Sequence, residues 1–306
     1  MTGATDLRCP VCWGGRVANA AVANPHHPLL RCAACGHVFV SPSELDEHEN
    51  EEIQLEYFSE DFAGRAGFFV KMYERLNARR TARALNLGPR SRVLEIGPGS
   101  GVVMGWLASL GHDVRGLDLS PAVAHQIEHR WRLPVTVEPL DAHIDSVGEG
   151  AYDAIIMRHV LEHFTDPLAS LQSARAALKP GGKLYIAVPN MDSWHRHFRG
   201  WSGYEPYHVH YFCDASLSLA LRQAGFIVRE TASFESLTGW ANTFMRSLNR
   251  QGARWVGVPA RREGWKRWIL ESARLMMGVV LSPLRWLQAR LGRGEELTAI
   301  CVRTIA

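Results

Sequence analysis

The chain contains no run of about eighteen apolar residues, so no segment reads as a membrane-spanning helix. Its polar first residues lack the apolar stretch of a secretory leader, and none is expected. Charge of either sign is barely in excess. The 34 lysines and arginines against 31 acids leave a net +3, too little by itself to argue for a nucleic-acid partner. Cysteine is scarce, six in 306 residues, and not evenly scattered as a disulfide framework would be. What the chain does have is 46% hydrophobic residues, enough for a sizeable core, and a length that fits one large domain with a small appendage.

Four of the cysteines fall in two pairs. Cys9 and Cys12, then Cys32 and Cys35, read C-x2-C, nineteen residues, C-x2-C. That spacing suits tetrahedral zinc held by two knuckles, and Gly36 supplies a tight turn after the second pair. Four sulfurs leave no open coordination position, so a structural metal is expected. A module of about forty residues hardly folds without such a clip. Iron in the same cage, and four buried free thiols, are the alternatives. A redox pair is disfavoured because two pairs occur with no strand-helix context. Paired thiols of this kind also point to a reducing cytoplasm. With the shell complete, His26, His27 and His37 are read as surface histidines. The acidic run Glu44–Glu56 reads as a solvated linker.

Residues 92–101, Arg-Val-Leu-Glu-Ile-Gly-Pro-Gly-Ser-Gly, carry the most information. Val93, Leu94 and Ile96 suit a buried strand, Gly97, Gly99 and Gly101 a sharp turn close to a ligand, and Val102 to Leu110 a helix. Open α/β sheets build a nucleotide site in this order at the carboxyl edge of the first strand. The spacing is G-x-G-x-G, not the G-x-G-x-x-G that binds a pyrophosphate, so a ligand without phosphate is expected. Glu95 puts a carboxylate beside the turn, which suits a cationic ligand.

This segment resembles motif I of the class I S-adenosylmethionine-dependent methyltransferases, E-x-G-x-G-x-G. The resemblance runs from Arg92 to the C-terminus. Asp113 to Leu117 reads as a second strand closed by Asp118, Val135 to Glu138 as a third, and Tyr152 to Met157 as a fourth. Arg158–Phe164 resembles the segment after strand four of one branch of the family. Lys179-Pro180-Gly181-Gly182 resembles the family's turn into strand five, Lys183 to Val188. A sixth strand starts at Ala224-Gly225-Phe226, and a seventh covers Leu297 to Arg303. The resemblance implies a Rossmann-like seven-stranded sheet and S-adenosylmethionine as cofactor. It places Asp118 on the ribose hydroxyls and Asp141-Ala142 near the adenine. Glu95, Gly97, Gly99, Gly101 and Leu119 complete the cofactor residues. The expected organisation is a zinc ribbon in 1–45, a helical linker or lid in 46–88, and the methyltransferase domain in 89–306 with a helical insertion at about 239–294. Tyr57-Phe58 and a helix from about Phe68 to Leu87 are read as a lid or, equally, as packing.

A hydroxyl or carbon acceptor needs a base. Tyr204 to Phe212, Tyr-Glu-Pro-Tyr-His-Val-His-Tyr-Phe, follows strand five and is dense in such groups. It is similar to the H-x-x-Y-F segment of sugar C-methyltransferases that also carry an N-terminal zinc module. His208 matches their histidine, while Tyr207 stands where their acid would be. His208, Tyr207 and His159 are the catalytic candidates, with a loop-ordering role for His208 the alternative. Asp166-Pro167 reads as a helix cap, and Cys213 and Cys301 as inert core thiols.

From Arg250 to Arg293 ten basic residues face only Glu263 and Glu271, with Trp255, Trp265, Trp268 and Trp286 among them. Trp265, Trp268, Ile269 and Ser272 share a helical face, and Pro283 interrupts the run. Such helices pack as a solvated cap, lie on an anionic membrane surface, or hold an acidic substrate or RNA. The leading functional reading is methylation of a small or lipid-linked metabolite, a saccharide or glycan-pathway intermediate in particular. It comes with a cytoplasmic location that allows peripheral contact with the inner face of the membrane. The alternative is an rRNA or RNA methyltransferase that uses the ribbon for recognition. Against RNA, the ribbon between Cys9 and Cys35 offers only Arg16, Arg31 and Trp13 as basic or stacking groups. A non-catalytic scaffold is disfavoured by the intact glycines and Asp118.

Overall fold

The computed structural model describes residues 7–44, 68–248 and 264–304. Tyr57-Phe58, the acidic run beyond Glu44, and Arg250, Arg254, Trp255, Arg261, Arg262 and Glu263 lie outside the described residues. In chain order the elements are β1 (Val17–Asn19), β2 (Leu29–Cys32), β3 (Val38–Val40), α1 (Phe68–Leu85), β4 (Arg92–Ile96), α2 (Val102–Ser109), β5 (Asp113–Asp118), α3 (Pro121–Trp131) and β6 (Val135–Val137). Then follow α4 (Leu140–Val147), β7 (Tyr152–Arg158), α5 (Pro167–Ala177), β8 (Leu178–Pro189), β9 (His210–Tyr211), α6 (Asp214–Gln223), β10 (Phe226–Phe234), α7 (Gly239–Leu248), α8 (Gly264–Val280), α9 (Ser282–Arg290) and β11 (Glu296–Arg303).

The seven strands read from the sequence form one sheet in the order β10-β11-β8-β7-β4-β5-β6. β4 is parallel to β5 and β7, β5 to β6, and β7 to β8. Its central strands are apolar on both faces, as helices on both sides require. Val93, Leu94, Ala154, Ile155 and Ile156 have no exposed surface. Burying one such aliphatic side chain stabilises by about 1.5–3 kcal/mol. α1 packs along α2, and Ala78, Leu85, Val103, Met104 and Leu107 join Val93 and Ile156 in one core.

Helix starts follow the local chemistry. Asp166 accepts hydrogen bonds from Leu168 N and Ala169 N at 3.0 Å, with Pro167 in the first helical position of α5. Losing such a cap costs about 1 kcal/mol. Ser120 caps α3 in the same way. One boundary differs from the sequence reading, and the break expected at Pro283 is present. The Lys179–Gly182 segment is not a turn before the strand but the bulged first part of β8, held where Lys179 Nζ donates to Asp153 Oδ1 at 2.7 Å. Pro283 sits in the first turn of α9, so the basic segment is two helices.

Chain contacts divide the protein into two units. One comprises Met1–Asp46, Val188–Leu217 and Ala232–Thr298, and the other Glu47–Ala187, Ser218–Thr231 and Ala299–Ala306. In the first, antiparallel β1, β2 and β3 are extended by β9, which pairs Val38 with Tyr211 and Phe39 with His210. Leu29, Val38, Val40, Met191, Trp201, Tyr204 and Tyr211 make its core. His37 is not a surface histidine. It is fully buried, stacked on Phe39 and 3.2 Å from His210 Nδ1 through Nε2. The reason is β9, whose pairing covers the β3 edge.

Candidate functional site

The glycine turn leaves β4 with left-handed backbone at Gly97 (φ 62°) and Gly99 (φ 52°), a region costly for side chains with a Cβ. A Cβ on Gly97 would lie 2.5 Å from Val160 Cγ2, and one on Gly101 2.9 Å from Ile127 and Trp131. At Gly99 nothing lies within 4 Å, so the turn presents bare backbone to open space there. Trp131 holds the turn: its Nε1 donates to Ser100 O at 3.0 Å. The sequence reading did not single out Trp131 or Val160.

Glu95 lies under this turn, nearly fully buried, with Oε2 unpartnered among the described residues. Burial pushes its pKa up to about 8, against the pull of the Arg158 charge and the Met104 N–H. A buried carboxyl with an unused oxygen beside an open glycine turn fits a cationic ligand, as the ammonium and sulfonium of S-adenosylmethionine would be. The parallel register brings the next strand ends alongside: Ile96 faces Leu117 on one side and Met157 on the other. Asp118 ends β5, and its Oδ1 accepts from Ser120 N at 2.8 Å. Burial raises its pKa, opposed by the Ser120 and Leu119 N–H groups. Leu119 is exposed beside it. Asp141 and Ala142 lie exposed in the first turn of α4, after β6. His159 directly follows β7 in left-handed backbone (φ 54°), its Nδ1 3.5 Å from buried Glu162. Such strain in a bulky residue is characteristic of functional positions.

In the other unit, Tyr207, His208 and His210 are all buried. His210 lies in β9. His208 Nδ1 donates to Gly203 O at 2.9 Å, because a carbonyl can only accept. In the neutral ring this leaves Nε2 as the basic nitrogen. Tyr207 meets the His208 ring edge-on. The four cysteines of the two pairs converge here too. Sγ atoms of Cys9 and Cys35 are 3.6 Å apart, those of Cys12 and Cys32 3.4 Å, and all four lie within 4.8 Å. Zinc at about 2.3 Å from each sulfur needs edges of about 3.8 Å, so this quartet fits it. Cys213 and Cys301 are buried, and burial pushes the Cys301 thiol up to about 12.

A buried network of the same unit joins His195 Nε2 to Glu235 Oε1 at 2.8 Å, His195 Nδ1 to Thr243 Oγ1 at 2.8 Å, and Gln288 Nε2 to Glu235 Oε2 at 3.0 Å. Burial raises Glu235 to about 8. Burial and the neighbouring Glu235 raise Glu295 to about 6. His195 is shifted down, again by burial. An unfolded-state histidine is half neutral at pH 6.5 and almost wholly neutral a unit higher, so His195 offsets the acids there by no more than about 0.4 kcal/mol. Their folded values lie above their unfolded ones, so the stability they contribute is full at low pH and is lost as pH rises through the folded values. The unliganded protein is therefore expected to melt at least about 4 °C lower at pH 8.5 than at pH 6.5, with a shallower slope in Glu235→Gln. Parallel melting curves of both proteins would rule this out if their slopes coincide.

A family profile described as a methyltransferase domain matches residues 69–231. A ubiquinone biosynthesis O-methyltransferase of Xanthomonas campestris is 33% identical over 109 residues, covering 33% of this chain and 44% of that protein. Its Xanthomonas axonopodis counterpart is 33% identical over 107 residues, with the same coverage. The chain thus spans less than half the length of these curated relatives. A solved S-adenosylmethionine-dependent methyltransferase from Archaeoglobus fulgidus superimposes with a TM-score of 0.53 at 18% identity, over 84% of this chain and 100% of that one. The 1,6-didemethyltoxoflavin-N1-methyltransferase of Burkholderia thailandensis, solved with 1,6-didemethyltoxoflavin and S-adenosylhomocysteine, gives 0.52 at 17% identity over 90% and 99%. At such identities these structures show the fold.

Proposed function

The chain belongs to the methyltransferase-domain family, the class I S-adenosylmethionine-dependent methyltransferases, and on that premise we propose that it methylates a small or lipid-linked metabolite. The cofactor supplies an electrophilic methyl on a sulfonium, an excellent leaving group, so the protein's part is alignment and, for a hydroxyl or carbon acceptor, proton removal. Gly97, Gly99 and Gly101 offer the close backbone, Glu95 faces the cationic end, Asp118 takes the ribose diol, and Leu119 with Asp141-Ala142 borders the adenine. His208 is the proton acceptor through Nε2, with His159 and Tyr207 as further acceptor-side groups.

The observation that carries the lipid-linked reading is an exposed apolar stripe along α8 and α9. Met276, Val280, Leu284, Leu287 and Leu291 recur every three or four residues, Val280 being 72% exposed. Trp286 is 61% exposed with Arg290 stacked on its ring at 4.8 Å. Between 264 and 293 the charges are Lys266, Arg267, Arg274, Arg285, Arg290 and Arg293 against Glu271. Exposed apolar side chains on a segment of net positive charge match an anionic membrane surface. No helix among the described residues is long and apolar enough to cross a membrane. Two named relatives, one for ubiquinone biosynthesis and one for 1,6-didemethyltoxoflavin, support a metabolite acceptor. The test is purified protein with labelled S-adenosylmethionine and fractionated cell extract. Label is expected in small solutes or lipid, and label confined to RNA would overturn the reading. Val280→Glu with Trp286→Glu is expected to abolish flotation with vesicles containing phosphatidylglycerol. Wild-type protein that stays at the bottom of the gradient would remove the membrane part.

The cysteine quartet holds one structural zinc. Elemental analysis is expected to give one zinc per chain, and near zero after Cys9→Ser with Cys32→Ser. Zinc-free wild-type protein, or zinc retained in the double variant, would end the assignment.

A further inference from the structure

The turn Tyr204–Pro206 is held within one unit. His27 Nε2 donates to Pro206 O at 2.8 Å. Asn24 sets this histidine pair, its Oδ1 accepting from His26 N at 2.8 Å and His27 N at 3.3 Å. Next to that anchored carbonyl, the Glu205 carboxylate points to α7, where its Oε1 accepts from Arg246 Nη1 at 2.6 Å. Both side chains of the pair are 7% exposed.

That pair uses only one nitrogen of Arg246. Nε and Nη2 are buried and have no hydrogen-bond partner among the described residues. These two N–H groups lie parallel on one edge of the guanidinium, the edge that takes two oxygens of a carboxylate or phosphate side by side. His26 Nε2 is likewise buried and unpartnered. Burial, and after it the charges of His27 and Arg246, oppose protonation of the His26 ring. Buried donors are almost always satisfied, and unmatched ones concentrate where a ligand completes them.

We propose that the free edge of Arg246, flanked by His26, binds a compact oxyanion carried by the methyl acceptor: a carboxylate or a phosphate. This rests on the reading that the chain methylates a metabolite. It adds that the metabolite is acidic. Glu205 fixes the guanidinium so that the two-donor edge stays presented, and an imidazole at His26 can add a third N–H once protonated.

The full-length protein is titrated calorimetrically with inorganic phosphate and, separately, acetate, and each preparation is also titrated with S-adenosylhomocysteine. Wild type is expected to bind one of the two anions, and which one it prefers assigns the acceptor group. Arg246→Gln should weaken that anion at least tenfold and leave S-adenosylhomocysteine unchanged. Arg246→Lys keeps the charge but not the paired donors, and should also weaken it severalfold. If Arg246→Gln does not fold, the lysine variant decides. Wild type that binds neither anion, or variants that bind as well as wild type, would overturn the proposal. Loss of S-adenosylhomocysteine binding in the wild type would instead strike the methyltransferase reading.

Discussion

Asp118→Ala is expected to bind S-adenosylhomocysteine roughly thirty-fold more weakly than wild type, the equivalent of about 2 kcal/mol for a charged hydrogen-bonding group lost from a desolvated site. The cause lies in how β5 ends. The strand register puts Asp118 opposite Val137, and the chain then turns into α3 with Ser120 N donating to Asp118 Oδ1 at 2.8 Å. That bond orients the carboxylate without help from a ligand, so under the ribose assignment the diol would meet an acceptor already in place. Burial raises the Asp118 pKa. Binding should therefore weaken as pH falls, and begin to do so at a higher pH than an ordinary aspartate would give. Stability should move the other way or not at all, since removing a partly buried carboxylate relieves desolvation. Calorimetry is the check: equal affinity in Asp118→Ala and wild type would sink the ribose assignment. Asp118→Asn, which keeps one oxygen acceptor, is expected to fall between the two.

The sheet was legible because its central strands carry short apolar stretches, with Gly97 closing β4 and Asp118 closing β5. Val93–Ile96 and Ala154–Met157 are buried throughout, and such runs need no partner to be recognised, while β5 buries Val114 and Leu117 and leaves Arg115 exposed. The backbone of the glycine turn followed from residue type alone. Features that depend on distant partners were not legible. β9 is two residues long, too short for any periodicity, and exists because β3 has a free edge at Val38 and Phe39. That pairing buries His37, whose sequence neighbours give no hint of it. Lys179–Gly182 carries turn chemistry, yet it is drawn into β8, Leu178 pairing with Tyr152 and Lys179 bonding Asp153. Trp131 and Val160 complete the glycine turn from other elements, and nothing local to either residue says so. Arg246 reads as one of many arginines near the basic segment. Only its burial against Glu205 sets it apart.

His208→Ala is expected to lower turnover by about two decades, the usual size of lost general-base catalysis, with affinity for S-adenosylhomocysteine nearly unchanged. The competing role is visible in the structure: the Nδ1 bond to Gly203 O would order the loop whether or not the ring takes a proton. The same bond fixes the neutral tautomer with Nε2 as acceptor, so the two roles use different nitrogens and separate by substitution. His208→Asn keeps an N–H donor near the Nδ1 position and has nothing at Nε2. If the ring only orders the loop, Asn should recover most of the activity. If Nε2 takes the proton, Asn should be as slow as Ala, and both variants should lose the lower-pH limb of the pH–rate profile. An Asn variant with near-normal turnover would move the proton acceptor to His159 or His210, or show that the acceptor atom needs no base.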